Sequence, residues 1–233
     1  MFRKETIEAV GLDWNDANQF NEYFSKLKKD QVEQIIVEGD LARSKLAWKI
    51  TIYSQAMRYR LIELTEACID EWDKDRFVGC FIMARAIIET VAVLYEFEHR
   101  LDKALSTKDL NVVDSLIMNR TFASRLADLF GNKKAYESLS VLTAIDKLDK
   151  KLEGHVRLAY DRLSEYAHTN YLGVSSSYAK IDYTYGDVSY GNQNTKYNVF
   201  MRLQGEFGLL ELANMAFEKI KSHIKTTANF QAS

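Results

Sequence analysis

Along most of this chain apolar residues recur at intervals of three and four, the spacing that places them on one face of an α-helix. Over residues 15–29 the recurring positions are Phe20, Tyr23, Phe24 and Leu27, which predicts a helix. A further helical run is expected over 30–37, broken near Gly39 and Asp40. Residues 41–72 form a longer amphipathic stretch, with Leu46, Ile50, Tyr53, Met57, Leu61, Leu64 and Cys68 in one stripe. Its length suits a helix that spans a bundle. After the polar break Asp73-Lys74-Asp75, residues 76–104 predict another long helix. From Phe77 to Phe97 it is apolar nearly all round, the mark of a helix surrounded by others.

Residues 105–150 predict shorter helices, separated near Ser106-Thr107 and Gly131-Asn132. Helix resumes over 139–152 and 155–170. The texture then changes. Residues 174–199 are rich in Ser, Tyr, Thr, Gly and Asn, with near-alternation over 179–185 and turn signals at Gly186-Asp187 and Gly191-Asn192. This predicts a small β-hairpin or an ordered loop inserted in a helical chain. A closing helix is expected over 200–227, and residues 1–14 are expected to be a loosely attached arm. One all-α domain covering 1–233, a helical bundle with a tyrosine-rich insertion, accounts for the pattern.

Composition sharpens this picture in one respect. The chain contains no proline, which suits long uninterrupted helices. Its net charge of −2 provides no global attraction to nucleic acid or anionic membrane, so RNA binding needs a local basic patch. Cys68 and Cys80 stand in apolar helical patterns and are read as buried reduced thiols. The N-terminal Met-Phe-Arg-Lys-Glu-Thr lacks a signal peptide's apolar core, and Arg85 and Glu89 interrupt the best membrane-span candidate. A cytoplasmic protein is expected, with no membrane role.

Candidate chemistry gathers in two places. Arg85 and Glu89 share one face of the apolar helix, where charge is costly unless paired or facing water. They are either an ion pair at the bundle edge or an anion-binding arginine oriented by its own glutamate. In the second cluster Tyr160, Ser164 and His168 stand at i, i+4 and i+8 and line one stripe, with Glu165 adjacent. His168 falls near the helix end marked by Asn170 and Gly173, where the helix dipole favours a protonated imidazole.

The stretch Arg162-Leu-Ser-Glu-Tyr-Ala-His168 fits the R-x(4–6)-H signature of the HEPN superfamily, all-helical domains of ribonucleases and antiviral defence systems. Together with Arg85-Ala-Ile-Ile-Glu89 on a central helix, and Asn170 before a glycine, it resembles uncharacterised bacterial helical proteins related to HEPN and abortive-infection domains. The likeness covers roughly residues 40–175 and the final helix, by layout. It implies a metal-independent endoribonuclease without cofactor, in a toxin or defence role, acting as a homodimer and open to an antitoxin or other protein partner. In that reading His168 is the general acid or base and Arg162 stabilises the phosphate, with Arg85, Glu89, Ser164, Glu165, Asn170 and Tyr160 supporting. Leu163 follows Arg162 where many active nucleases have a polar residue. Six steps along an ideal helix also leave Arg162 and His168 about 120° apart. The alternative is a non-catalytic HEPN-like module that binds nucleotide, RNA or protein.

A third reading comes from two Glu-x-x-His pairs, Glu96 with His99 and Glu165 with His168. With Glu63 or Glu66, and Glu137 or Glu153, they sketch a di-iron carboxylate bundle. Elsewhere the pattern is plainer. Lys147, Lys150, Lys151 and Arg157 interleave with Asp146, Asp149 and Glu153, as on a solvated helix face. The insertion's tyrosines either hold a strand pair or an interface together, or stack on bases.

Overall fold

The computed structural model describes residues 1–124 and 140–232. Among them the chain is all-α apart from one small hairpin. Its helices are α1 (Lys4–Ala9), α2 (Trp14–Lys29), α3 (Asp40–Arg43), α4 (Lys45–Asp73), α5 (Phe77–Ser106), α6 (Leu110–Phe122), α7 (Val141–Asp149) and α8 (His155–Ala167). There follow α9 (Ser175–Tyr178), strands β1 (Ala179–Ile181) and β2 (Val188–Tyr190), α10 (Lys196–Leu203), a 3-10 turn (Gln204–Glu206) and α11 (Phe207–Ala232). The expected break near Gly131-Asn132, and Glu137, lie outside the described residues.

Helix α5 is the axis. Cys80, Phe81, Ile88, Ala92, Phe97 and Leu101 on it are wholly buried, and α4, α6, α7, α8 and α11 all pack against it. By length and composition α5 could cross a membrane, with a mean hydropathy of 2.0 over its most apolar window. Here 56% of that window is buried inside the protein, under the five helices packed on it. The α4 stripe read from sequence faces inward, with Leu46, Ile50, Leu61 and Cys68 buried. Side-chain caps fix the helix starts. Asp13 accepts a hydrogen bond from the Asn15 amide, Ser44 from Ala47, and Thr195 from Asn198.

The first 14 residues are not a loose arm. Phe2 is 6% exposed and sits among Phe20, Trp72, Phe200 and Phe207, with ring centroids 5.2–6.0 Å away. Asn21 clamps it through both backbone groups, accepting from the Phe2 amide at 3.0 Å and donating to its carbonyl at 2.9 Å. Ile7, on α1, is also fully buried.

Residues 31–38 do not form the expected helix. Val32, Ile35, Ile36 and Val37 are β-branched and lose rotamer freedom in a helix. Side chains of α4 take backbone carbonyls here that a helix would have used. Gln55 donates to the Asp30 carbonyl and Tyr59 to that of Val32.

The insertion is a hairpin. β1 and β2 pair antiparallel, Ala179 opposite Tyr190 and Ile181 opposite Val188. Gly186, with φ of 75°, makes the turn. The hairpin's root is tied to the α4–α5 turn, where Asn192 donates to the Asp75 carbonyl and Lys196 to that of Asp73. The closing helix expected over 200–227 is two helices. Between α10 and α11 the 3-10 turn holds Gly205, a poor helix former, and sinks Glu206 into the protein.

Candidate functional site

The two sequence clusters meet, and of the Tyr160, Ser164 and His168 stripe it is Tyr160 that makes the contact. Helix α8 packs on α5 and turns Tyr160 inward. The Arg85 guanidinium donates to the Tyr160 hydroxyl at 2.8 Å, and that hydroxyl donates to Glu89 Oε1 at 3.0 Å. Arg85 and Glu89 stand 3.2 Å apart as an i,i+4 ion pair, and the guanidinium carbon lies 5.1 Å from the Tyr160 ring centroid. The three groups pair with one another on the flank of α5, leaving Arg85 Nε buried without a hydrogen bond, with Arg85 and Glu89 side chains 30% and 25% exposed. This is the ion pair of the plainer reading, bridged by a tyrosine from the next helix.

At its other end α8 stops at Ala167, and His168 leaves it in extended conformation with φ −92° and ψ 158°. Ser164 is turned back on the helix, its hydroxyl donating to the Tyr160 carbonyl at 2.8 Å. Asn170 donates to Glu165 Oε2 at 2.5 Å and accepts from the Gly173 amide at 3.1 Å, folding the chain back after the helix. Gly173 lies against this corner so closely that a Cβ there would stand 1.9 Å from the His168 carbonyl oxygen. Glycine is thus required sterically, and it fixes the backbone that presents His168. The imidazole is exposed and makes no hydrogen bond or ion pair among the described residues.

Arg162 goes elsewhere. Two helix steps carry it roughly 200° around α8 from Tyr160, onto a groove between α8 and the α10–α11 bend. Its guanidinium has no hydrogen bond, ion pair or ring contact among the described residues. Arg202 from α10 lines the same groove, oriented by a 2.8 Å hydrogen bond to Asn194 and by the Tyr166 ring 5.1 Å away. His155 and Glu206 line it as well. The structure therefore brings Tyr160, Arg85 and Glu89 together, groups Glu165 with Asn170, and keeps Arg162 apart from the α5 pair.

Sequence reasoning missed Glu206, although a signal was present. It falls three residues from Leu203 and Leu209 and four from Leu210, in the phase of an apolar stripe. Burial pushes its carboxyl group up to about 8.

Of the carboxylates in the di-iron reading, Glu96 is taken up by cations. The Glu96 side chain is 1% exposed and bound by Arg100 and Arg120 at 2.5 Å and Lys147 at 3.1 Å, tying α5 to α6 and α7. His99 stacks on Tyr95 with 6.3 Å between centroids. Among the described residues no three His, Cys, Asp or Glu side chains gather as a metal's ligands would.

Comparison with protein-family models, with curated proteins and with solved structures gave no match.

Proposed function

We propose that the chain acts on RNA through the exposed end of α8, as a metal-independent endoribonuclease of HEPN-like type working in the cytoplasm. The observation that supports this reading is a division of labour among the charged candidates. Arg85 is paired with Glu89 and hydrogen-bonded to Tyr160, whereas Arg162 and His168 keep their functional ends open to solvent and unpartnered among the described residues.

In the reaction the ribose 2′-oxygen attacks phosphorus while the bond to the 5′-oxygen breaks, leaving a 2′,3′-cyclic phosphate and a 5′-hydroxyl. His168 accepts the 2′-hydroxyl proton or protonates the departing 5′-oxygen. Arg162 offsets charge on the phosphoryl oxygens. At the end of α8 each chain presents, among the described residues, only the His168 imidazole, so a pair of chains would supply both proton-transfer roles, as the HEPN resemblance implies.

The test is incubation of the purified chain with single-stranded RNA in EDTA. Cleavage with cyclic-phosphate ends, abolished in His168→Ala and reduced at least about a hundredfold in Arg162→Ala, is expected. Intact RNA at stoichiometric protein would sink the reaction. The second reading, a binding module without turnover, draws support from Arg162 facing the groove beside Arg202. It predicts RNA or nucleotide retention with no cleavage.

A further inference from the structure

The groove lined by Arg162 has a composition of its own. Its volume is about 970 Å3, within the ~300–1,000 Å3 of small-molecule sites. Val156, Ala159, Leu209 and Leu212 make its walls apolar. Glu206 is the buried polar residue among the described lining, 8% exposed, and no hydrogen bond or ion pair reaches its carboxyl group among the described residues.

Its carboxyl oxygens are not among the fully enclosed unpaired atoms, so they keep some access to solvent, and a ligand can take the place of water as their partner. The charged and titratable groups around it are His155 and Arg162 from α8, Arg202 from α10 and Glu211 from α11. Cys68 from α4 faces it across a void of about 20 Å3, room for no more than a water. None of these forms an ion pair with it. With burial raising it to about 8, the acid is un-ionised at neutral pH and offers one donor beside one acceptor.

An apolar slot, a neutral acid within it and guanidinium groups on its lining suit a flat heterocycle with a polar edge and an anionic tail. We propose that this groove binds a nucleoside monophosphate, its base edge paired with the Glu206 carboxyl group, its faces against Val156 and Leu209, and its phosphate on Arg162 and Arg202. A neutral carboxyl group pairs with an acceptor-beside-donor edge, which both adenine and guanine present. An ionised carboxylate needs two donors, which guanine's N1–H and 2-amino group supply and adenine's edge does not. The groove therefore holds adenosine monophosphate (AMP) below pH 8 and prefers guanosine monophosphate (GMP) above it. The site deepens the binding-module reading of this same groove and stands whether or not RNA is cleaved at His168; RNA retention without AMP or GMP binding would keep that reading and sink this one.

Calorimetric titration of the full chain with AMP and GMP, below and above pH 8, tests this. AMP affinity is expected to fall about tenfold or more across that pH while GMP affinity holds. Glu206→Gln, which keeps a donor beside an acceptor, should bind AMP at both pH values, separating Glu206 from the titration of His155. Glu206→Met should weaken both ligands at least about tenfold, and Arg162→Ala should do likewise through the phosphate. Replacing a partnerless buried acid by an apolar side chain does not threaten folding, and a thermal melt verifies it. No binding of either nucleotide to the wild-type chain, or equal affinity in Glu206→Met, would overturn the proposal.

Discussion

Tyr160 receives the Arg85 guanidinium at 2.8 Å across the α5–α8 seam and hands its own proton to Glu89 at 3.0 Å. One hydroxyl thus joins a pair of charges on one helix to the helix that leads into His168. Tyr160→Phe removes both hydrogen bonds while leaving the ion pair of Arg85 with Glu89. The expected loss is about 1–2 kcal/mol in urea unfolding. A double-mutant cycle with Glu89→Gln should show coupling, and additive losses would mean the hydroxyl bridge carries no energy.

Glu96 is a buried carboxylate shared by three cations from three helices, and Arg120, its most buried partner, is 7% exposed. Breaking such an arrangement from one side leaves a buried guanidinium without its counter-charge. Glu96→Gln is expected to cost about 3–5 kcal/mol, read as a lower urea midpoint. Replacement without loss would show that the cations are satisfied by other means.

Glu206 makes stability depend on pH in an uncommon direction. Its carboxyl group moves from an ordinary value of 4.5 to about 8 in the folded chain. Between those values the native state keeps a proton that the unfolded chain has released. Its contribution to stability therefore declines as pH rises through this window, by roughly 1.4 kcal/mol per unit, and levels off above pH 8. Thermal melts from pH 5 to pH 9 should show this decline in the wild type and a flatter profile in Glu206→Gln. Parallel profiles would place the titration elsewhere.

The long helices were legible because periodicity needs only the local chain. The stripe on α4 and the apolar circumference of α5 predicted their burial, and the near-alternation and turn signals after Gly173 predicted a hairpin or an ordered loop, of which the chain forms the hairpin. Two local readings failed where distant contacts decided. Phe2 carries no sign in its own neighbourhood that four aromatic rings from α2, α4, α10 and α11 will enclose it. Residues 31–38 had helical spacing, but α4 side chains captured their carbonyls.

For the candidate site the division is sharper. The sequence by itself determined which candidate residues share a helix face, because helix phase follows directly from spacing. It placed Arg85 with Glu89, and Tyr160 with Ser164. Only the tertiary structure decided that Tyr160 closes the α5 pair, that Arg162 turns to a different groove, and that Glu206 is buried beside it. Those outcomes depend on how helices far apart in the chain pack and rotate against one another, and no local repeat encodes that angle.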